Sequence, residues 1–328
     1  MVSGQANTAM ELFASNEILP LTLTAKLGTL LNDRGDDRIE HPATIAYLEA
    51  DGTENIQGAK VKVRGNFRRQ AHNCNFPPLR LNFSKKKTTG TLFEGQDKIK
   101  LVNPCKKESS LYQDYLLLEY LTYRIYNQIS PLSFKVRLVE MTFEEMEKEK
   151  SKTSYGFLIQ DEEAVALQNG GEILDKQMLH PKAVDPHQLA LVSLFQYMIG
   201  NTDWYIPQLH NVKLVRLPVK ATPYPVPYDF DHAGFVNAQY ASPHANLPIK
   251  RVTQRYYRGY CHNQEELGQL IDLFNEKSAS IYALVEDFEL LSKRAKKNAI
   301  SYLDGFYKTI NNPKQVRKAF INKCQKLD

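Results

Sequence analysis

The chain has 328 residues, 42% hydrophobic and 24% charged, with a formal net charge of +5. That length accommodates two units with cores of their own, and that composition excludes a disordered or fibrous chain. No run of about 18 apolar residues is present, which excludes a helical membrane span, and the basic runs at 64–69, 85–87, 293–297 and 314–326 come without a zinc-finger, RNP or helix-turn-helix pattern, so no nucleic-acid partner is expected.

The opening, MVSGQANTAMELF, lacks the apolar centre of a secretion signal and fits the stub left after one is removed. LPLTLTAKL then alternates apolar and polar positions, as a half-buried strand does. ATIAYLEADGTENIQGAKVKVRG reads as strand, turn and strand, with Asp51-Gly52 as the turn. FPPLRLNF and DKIKLV continue the β series, and the polar loop GNFRRQAHNCN carries Gly65 and Asn66, which tolerate a positive φ. The period then changes. Leu111, Tyr115, Leu118, Leu121, Ile125 and Ile129 recur at helical spacing, with Ser109 or Ser110 as the N-cap.

A hairpin is expected from SFKVRLVEMTF, EEMEKEKSK and YGFLIQDEE. DPHQLALVSLFQYMIGN is a second apolar helix, capped by Asp185 and opened by Pro186. From residue 262 on the pattern is amphipathic helix. Strands, one helix, more strands and a helical remainder make an α+β chain: a β-rich N-terminal lobe over 1–160 and a mostly helical C-terminal lobe over 161–328.

Two polar stretches interrupt the second half. GNTDWYIPQLHNVKLV places Asp203 after an apolar helix and Asn211 at the start of a strand. VPYDFDHAGFV places Asp229 and Asp231 at the end of another. The segment between them reads as a hairpin whose ends bring Asn211 and Asp229 together. Phosphoryl transfer needs an acid to steer the nucleophile's proton, and hard oxygen ligands for magnesium. Asp203 fits the first role, and Asn211 and Asp229 the second. Arg64, Gly65, Arg80 and Lys100 are candidate phosphate holders in the β-rich half, with Glu119 as the helix acid that pairs with a strand cation. His210 reads as a general base or as a structural partner of its neighbour. No G-x-S-x-G, H-E-x-x-H or Walker motif is present.

At these residues the chain resembles the CotH family, the spore-coat-protein-H-like atypical kinases. VKVRGNFRR resembles its RGN turn, and LRLNF the basic strand that follows. YGFLIQDEE resembles its inter-lobe segment, NTDW…HN its catalytic Asp and metal Asn, and PYDFDHAG its W-D-x-D metal motif. The match spans roughly residues 55–240. It implies an atypical protein-kinase-like bilobal fold, ATP, magnesium or manganese, and an acceptor hydroxyl on a protein or cell-surface component.

Carried over by position, Asp203 is the catalytic Asp, Asn211 and Asp229 are metal ligands, and Asp231 is an accessory one. Three departures stand out: Arg80 where a Lys is expected, a long Asp203–Asn211 spacing, and Tyr228 in place of Trp. They motivate the alternative of a catalytically inactive surface protein. The aminoglycoside-kinase relatives carry a metal motif similar to YDFDHAG, and on that likeness the acceptor is a small molecule. The resemblance also implies export, to a secreted, periplasmic or cell-surface location rather than the cytoplasm. Export in turn implies two disulfides, Cys74 with Cys105 and Cys261 with Cys324.

Overall fold

A computed structural model describes residues 11–49, 51–106 and 108–326; residues 1–10, which the expectation of a removed leader concerns, lie outside them. The chain divides into two compact units, residues 1–116 with 135–164, and 117–134 with 165–328. Mixed α and β content is common to both, as the sequence pattern predicts.

The first unit is built on seven strands: β1 (Leu19–Ala25), β2 (His41–Leu48), β3 (Glu54–Val63), β4 (Leu79–Phe83), β5 (Lys98–Val102), β6 (Val136–Glu145) and β7 (Ser151–Ile159). They close into a barrel in the order β1-β2-β3-β4-β5-β7-β6. Alternate residues supply its apolar core: Leu21 and Leu23 of β1, Val61 and Val63 of β3, Leu79 and Leu81 of β4, Ile99 and Leu101 of β5. This is the two-residue strand period at work. The β2–β3 turn forms where Asp51-Gly52 is predicted to turn, with Gly52 at φ 83° and Asp51 Oδ1 accepting from Thr53 N at 2.9 Å. The β6–β7 hairpin reaches into the stretch EEMEKEKSK expected to be loop, since β6 runs on to Glu145 and β7 begins at Ser151. Closure depends on a parallel pair, β1 beside β6 with Leu19 opposite Val139. The two short helices α1 (Glu11–Ala14) and α2 (Leu27–Asn32) flank β1 in the chain.

Helix α3 (Ser110–Ile129) begins in the first range and ends in the second, and α4 (Glu162–Gln168) crosses the same division. The second unit is organised around α5 (Pro186–Ile199), buried along nearly its whole length. Asp185 caps it by accepting from Gln188 N, and Gly200 ends it in the left-handed region at φ 66°. A three-stranded sheet follows, from β8 (Glu172–Ile173), β9 (Val212–Arg216) and β10 (Tyr224–Pro227), in the order β10-β9-β8. Helices α6 (Gln264–Glu276), α7 (Ser278–Glu286), α8 (Lys293–Ile310) and α9 (Pro313–Val316) complete it. Cys74 is bonded to Cys105 in the first unit and Cys261 to Cys324 in the second, the pairing implied by the family resemblance.

Candidate phosphotransfer site

The end of α5 is fixed before the site begins. Arg255 donates to the carbonyls of Tyr197 and Met198 in the last helical turn, and to the carbonyl of Tyr302 at 2.5 Å. Its guanidinium lies 3.8 Å from the Tyr302 ring centre. Gly200 and Gly234 then meet, with Gly234 N donating to Gly200 O at 3.1 Å. A Cβ on Gly200 would lie 1.9 Å from Tyr302 Oη, and one on Gly234 2.4 Å from the same atom. Both positions are closed to any side chain.

Beyond Gly200 the chain is held by its own polar groups. Asn201 Oδ1 accepts from Asp203 N at 2.9 Å. Buried Trp204 and Ile206 anchor the loop from below. Tyr205 and His210 exchange two backbone hydrogen bonds at 3.0 Å, which close a turn over 206–209. That turn accounts for the long Asp203–Asn211 spacing. It loops out the extra residues, and Asn211 Nδ2 still reaches both Asp203 O at 2.7 Å and Asp203 Oδ2 at 3.0 Å.

His210 Nε2 lies 2.8 Å from Asp203 Oδ1. Burial pushes the Asp203 carboxyl up, but the His210 hydrogen bond, the charges of His210 and His232 and the Asn211 contact together hold it below its ordinary value. His210 is raised, first by its hydrogen bond to Asp203, against some desolvation, with the Asp203 and Asp229 charges adding to the effect.

β9 and β10 pair with Val212 opposite Pro227, and Tyr228 N donates to Asn211 O at 3.1 Å. Asn211 and Asp229 therefore leave the paired ends of one hairpin side by side. Both are in the left-handed region, at φ 53° and 61°. Asn and Asp are the non-glycine residues that adopt this conformation most readily, and positions of this kind concentrate at functional sites. Asp229 is supported from α3, where the buried Tyr123 hydroxyl accepts its N–H at 2.8 Å. Tyr240 donates to Asp231 Oδ2 at 3.2 Å, and Asp231 is buried.

With Asn211 Nδ2 turned to Asp203, its Oδ1 has no hydrogen-bond donor among the described residues, nor has the Asp229 carboxylate a hydrogen bond or ion pair there. Among the described residues no three His, Cys, Asp or Glu side chains form a metal cluster. The donors here are an amide oxygen and carboxylates. Such a set fits a hard cation that keeps water and substrate oxygens as its other ligands.

In the barrel unit, Arg64 and Gly65 sit where β3 ends, Gly65 at φ 85° and Arg64 N bonded to Pro78 O at 2.9 Å. The Arg64 side chain has no hydrogen bond or ion pair among the described residues. Arg80 faces outward from β4, 3.8 Å from Glu40, and Lys100 lies 3.6 Å from Glu162. The register puts Lys62 opposite Arg80 and Arg80 opposite Lys100, three cations in a row across three strands. Like charges placed directly opposite destabilise a sheet, and here Glu40 and Glu162 lie against two of the three cations. Glu119, the candidate helix acid, is buried, at 2% exposed.

No protein-family model matches the chain, and no curated protein matches it. Among solved structures it is similar to a proinflammatory kinase, CtkA, from Helicobacter pylori. The identity is 11% and the TM-score 0.41, over 70% of this chain and 90% of that one. A likeness at that level assigns neither fold nor activity to this chain.

Sequence reasoning missed Lys62, Tyr123, His232 and Arg258. Arg258 donates to the Thr202 carbonyl, lies 5.9 Å from the Tyr205 ring centre, and is close enough to Asp203 for their charges to interact. Only the spacing of YYRGY from the site loop hid it. No local signal connects residue 258 with residue 203.

Proposed function

We propose that the chain is a metal-dependent phosphotransferase with a two-lobed, atypical protein-kinase-like architecture, transferring phosphate from ATP to a hydroxyl of a protein or surface component outside the cytoplasm. The observation that supports it most is the β9–β10 hairpin, from whose paired ends Asn211 and Asp229 emerge, with Asn211 hydrogen-bonded to Asp203. In this reading Asn211 Oδ1 and Asp229 hold magnesium or manganese, with Asp231 as an accessory ligand. Arg64, Arg80, Lys100 and Lys62 hold nucleotide phosphates.

A bound metal–nucleotide pair supplies charge neutralisation along the transferring phosphate. The residues of the chain do the rest. Asp203, kept ionised by His210, accepts the hydrogen bond of the acceptor hydroxyl, orients it and takes its proton. Arg258 offers its remaining N–H groups to charge that develops beside Asp203. Tyr123 keeps Asp229 aimed by accepting its backbone N–H.

A second reading, a binding protein without turnover, is favoured by Arg80. An arginine ion-paired to Glu40 is not equivalent to the lysine expected there in geometry or hydration.

Calorimetry of ATP binding with and without magnesium, on the wild type, Asp229→Ala and Asp203→Asn, separates the readings. Metal-dependent binding that is lost in Asp229→Ala and kept in Asp203→Asn is expected, with phosphate transfer abolished in both. ATP binding without transfer in the wild type would leave the second reading standing. No binding in the wild type would sink the phosphotransferase reading.

A further inference from the structure

The charge of this chain is unevenly distributed. Its last 36 residues hold ten Lys and Arg against two Asp, whereas the preceding 292 hold 32 Lys and Arg against 35 Asp and Glu. Most of the terminal excess sits in one short, folded segment. Lys314, Arg317, Lys318, Lys323 and Lys326 are all exposed, and none has an ion-pair partner among the described residues. No acid occurs between residues 311 and 326.

This segment is not a loose tail. Cys324 is bonded to Cys261, Gln325 N donates to Gly259 O at 2.9 Å, and Cys261 N donates to Gln325 O at 3.0 Å. Phe320 is buried against Tyr197 and Tyr257, with ring centres 4.8 and 5.1 Å apart. Apolar side chains turn inward and cations outward. Lys314, Arg317 and Lys318 fall at helical spacings of three and four, so they share one face. Unpaired like charges on one rigid face repel one another, a standing cost that an anionic partner removes.

We propose that this face is a peripheral docking surface for an anionic phospholipid bilayer. Two observations favour lipid over nucleic acid. The exposed large apolar and aromatic side chains of the described residues end at Val219, so the segment has no base-stacking platform. The two disulfides fit an oxidising compartment, where nucleic acid is not a resident partner. Attraction of about 1 kcal/mol per basic residue near an anionic surface makes three such residues worth about a hundredfold in partitioning.

The test is co-sedimentation of the full chain with vesicles of equal parts phosphatidylglycerol and phosphatidylcholine, against vesicles of phosphatidylcholine alone. Lys314→Glu/Arg317→Glu/Lys318→Glu is compared with Lys85→Glu/Lys86→Glu/Lys87→Glu, which changes net charge equally at an exposed run of the barrel unit. Melting temperatures and Lys314→Gln/Arg317→Gln/Lys318→Gln guard against misfolding. The expected result is salt-sensitive binding to the anionic vesicles alone. It should weaken about a hundredfold in the glutamine variant, more than that in the first variant, and less than about twofold in the barrel control. Equal loss in both glutamate variants, equal binding to neutral vesicles, or tighter binding to duplex DNA than to the anionic vesicles would each overturn the proposal.

Discussion

The hydroxyl of Tyr123 accepts a hydrogen bond from the backbone N–H of Asp229, 106 residues further along the chain, at 2.8 Å. It gives a partner to the backbone of a residue whose φ of 61° is otherwise unfavourable. Tyr123→Phe keeps the ring that packs on Phe230 at 4.7 Å and removes only the acceptor. Leaving the N–H without its partner should cost about 1–3 kcal/mol in denaturant unfolding. Metal affinity, read by calorimetry, should fall about tenfold or more as Asp229 loses its aim. Unchanged affinity in a destabilised variant would mean that Tyr123 serves the fold alone.

Gly200→Ala should be among the most damaging single changes in the second unit. The new Cβ would lie 1.9 Å from Tyr302 Oη at a φ of 66°, and the two effects together should exceed about 2 kcal/mol. Tyr302→Phe alone should be near neutral or stabilising, because that hydroxyl is buried without a hydrogen-bond partner. Combined, the two should show a coupling of about 0.5–3 kcal/mol in a double-mutant cycle, since the nearest atom is then Cζ at 3.1 Å. Strict additivity would mean that Gly200 is required for its backbone conformation and not for space.

His262 gives the second unit a sensitivity to acid. Its side chain is only 10% exposed, with Nδ1 3.2 Å from Glu266 Oε2. Burial depresses its pKa below the ordinary value, Glu266 opposes this, and the nearby His187 adds to the depression. The folded state therefore favours neutral imidazole. Above about pH 6.5 the ring is neutral in both states and its contribution is complete. As pH falls below that value the unfolded chain takes up the proton first, and stability declines until the folded pKa is passed. Urea unfolding at about pH 7 and about pH 5 should show a larger loss for the wild type than for His262→Gln. Equal losses would place the acid sensitivity elsewhere.

The Cys261–Cys324 bridge closes a separation of 63 residues. Chain entropy assigns it about 4 kcal/mol, so Cys261→Ser/Cys324→Ser should lower stability by an amount of that order. Protease should then cut first near residues 317–326, whose other ties to the body of the unit are the strand-like bridge between Tyr260 and Gln325 and the packing of Phe320 on Tyr197 and Tyr257.

What was legible in the sequence was what is local. The strands of the barrel announce themselves by alternation, and α5 by Asp185 and Pro186 at its start. Asp203, Asn211 and Asp229 stood out because polar residues broke apolar runs. Barrel closure was not legible, because the pairing of Leu19 with Val139 leaves no mark on either strand. Tyr123 and Arg258 were hidden for the same reason. A tyrosine in an apolar helix and an arginine in an irregular stretch look like core and surface until the chain brings them to Asp229 and Thr202.

The parallel β1–β6 pair also bears on how the protein is made. The barrel's first strand leaves the ribosome long before the strand that completes it. At about 5–20 residues per second, the interval between them is on the order of ten seconds. Through that interval the outer edge of β1 and the apolar faces of β2 to β5 have no partner from their own chain. An unsealed sheet of that kind pairs readily with other chains. The nascent protein is therefore exposed to misassociation early in its synthesis, and a factor that shields residues 19–102 until residue 145 has emerged would raise its yield.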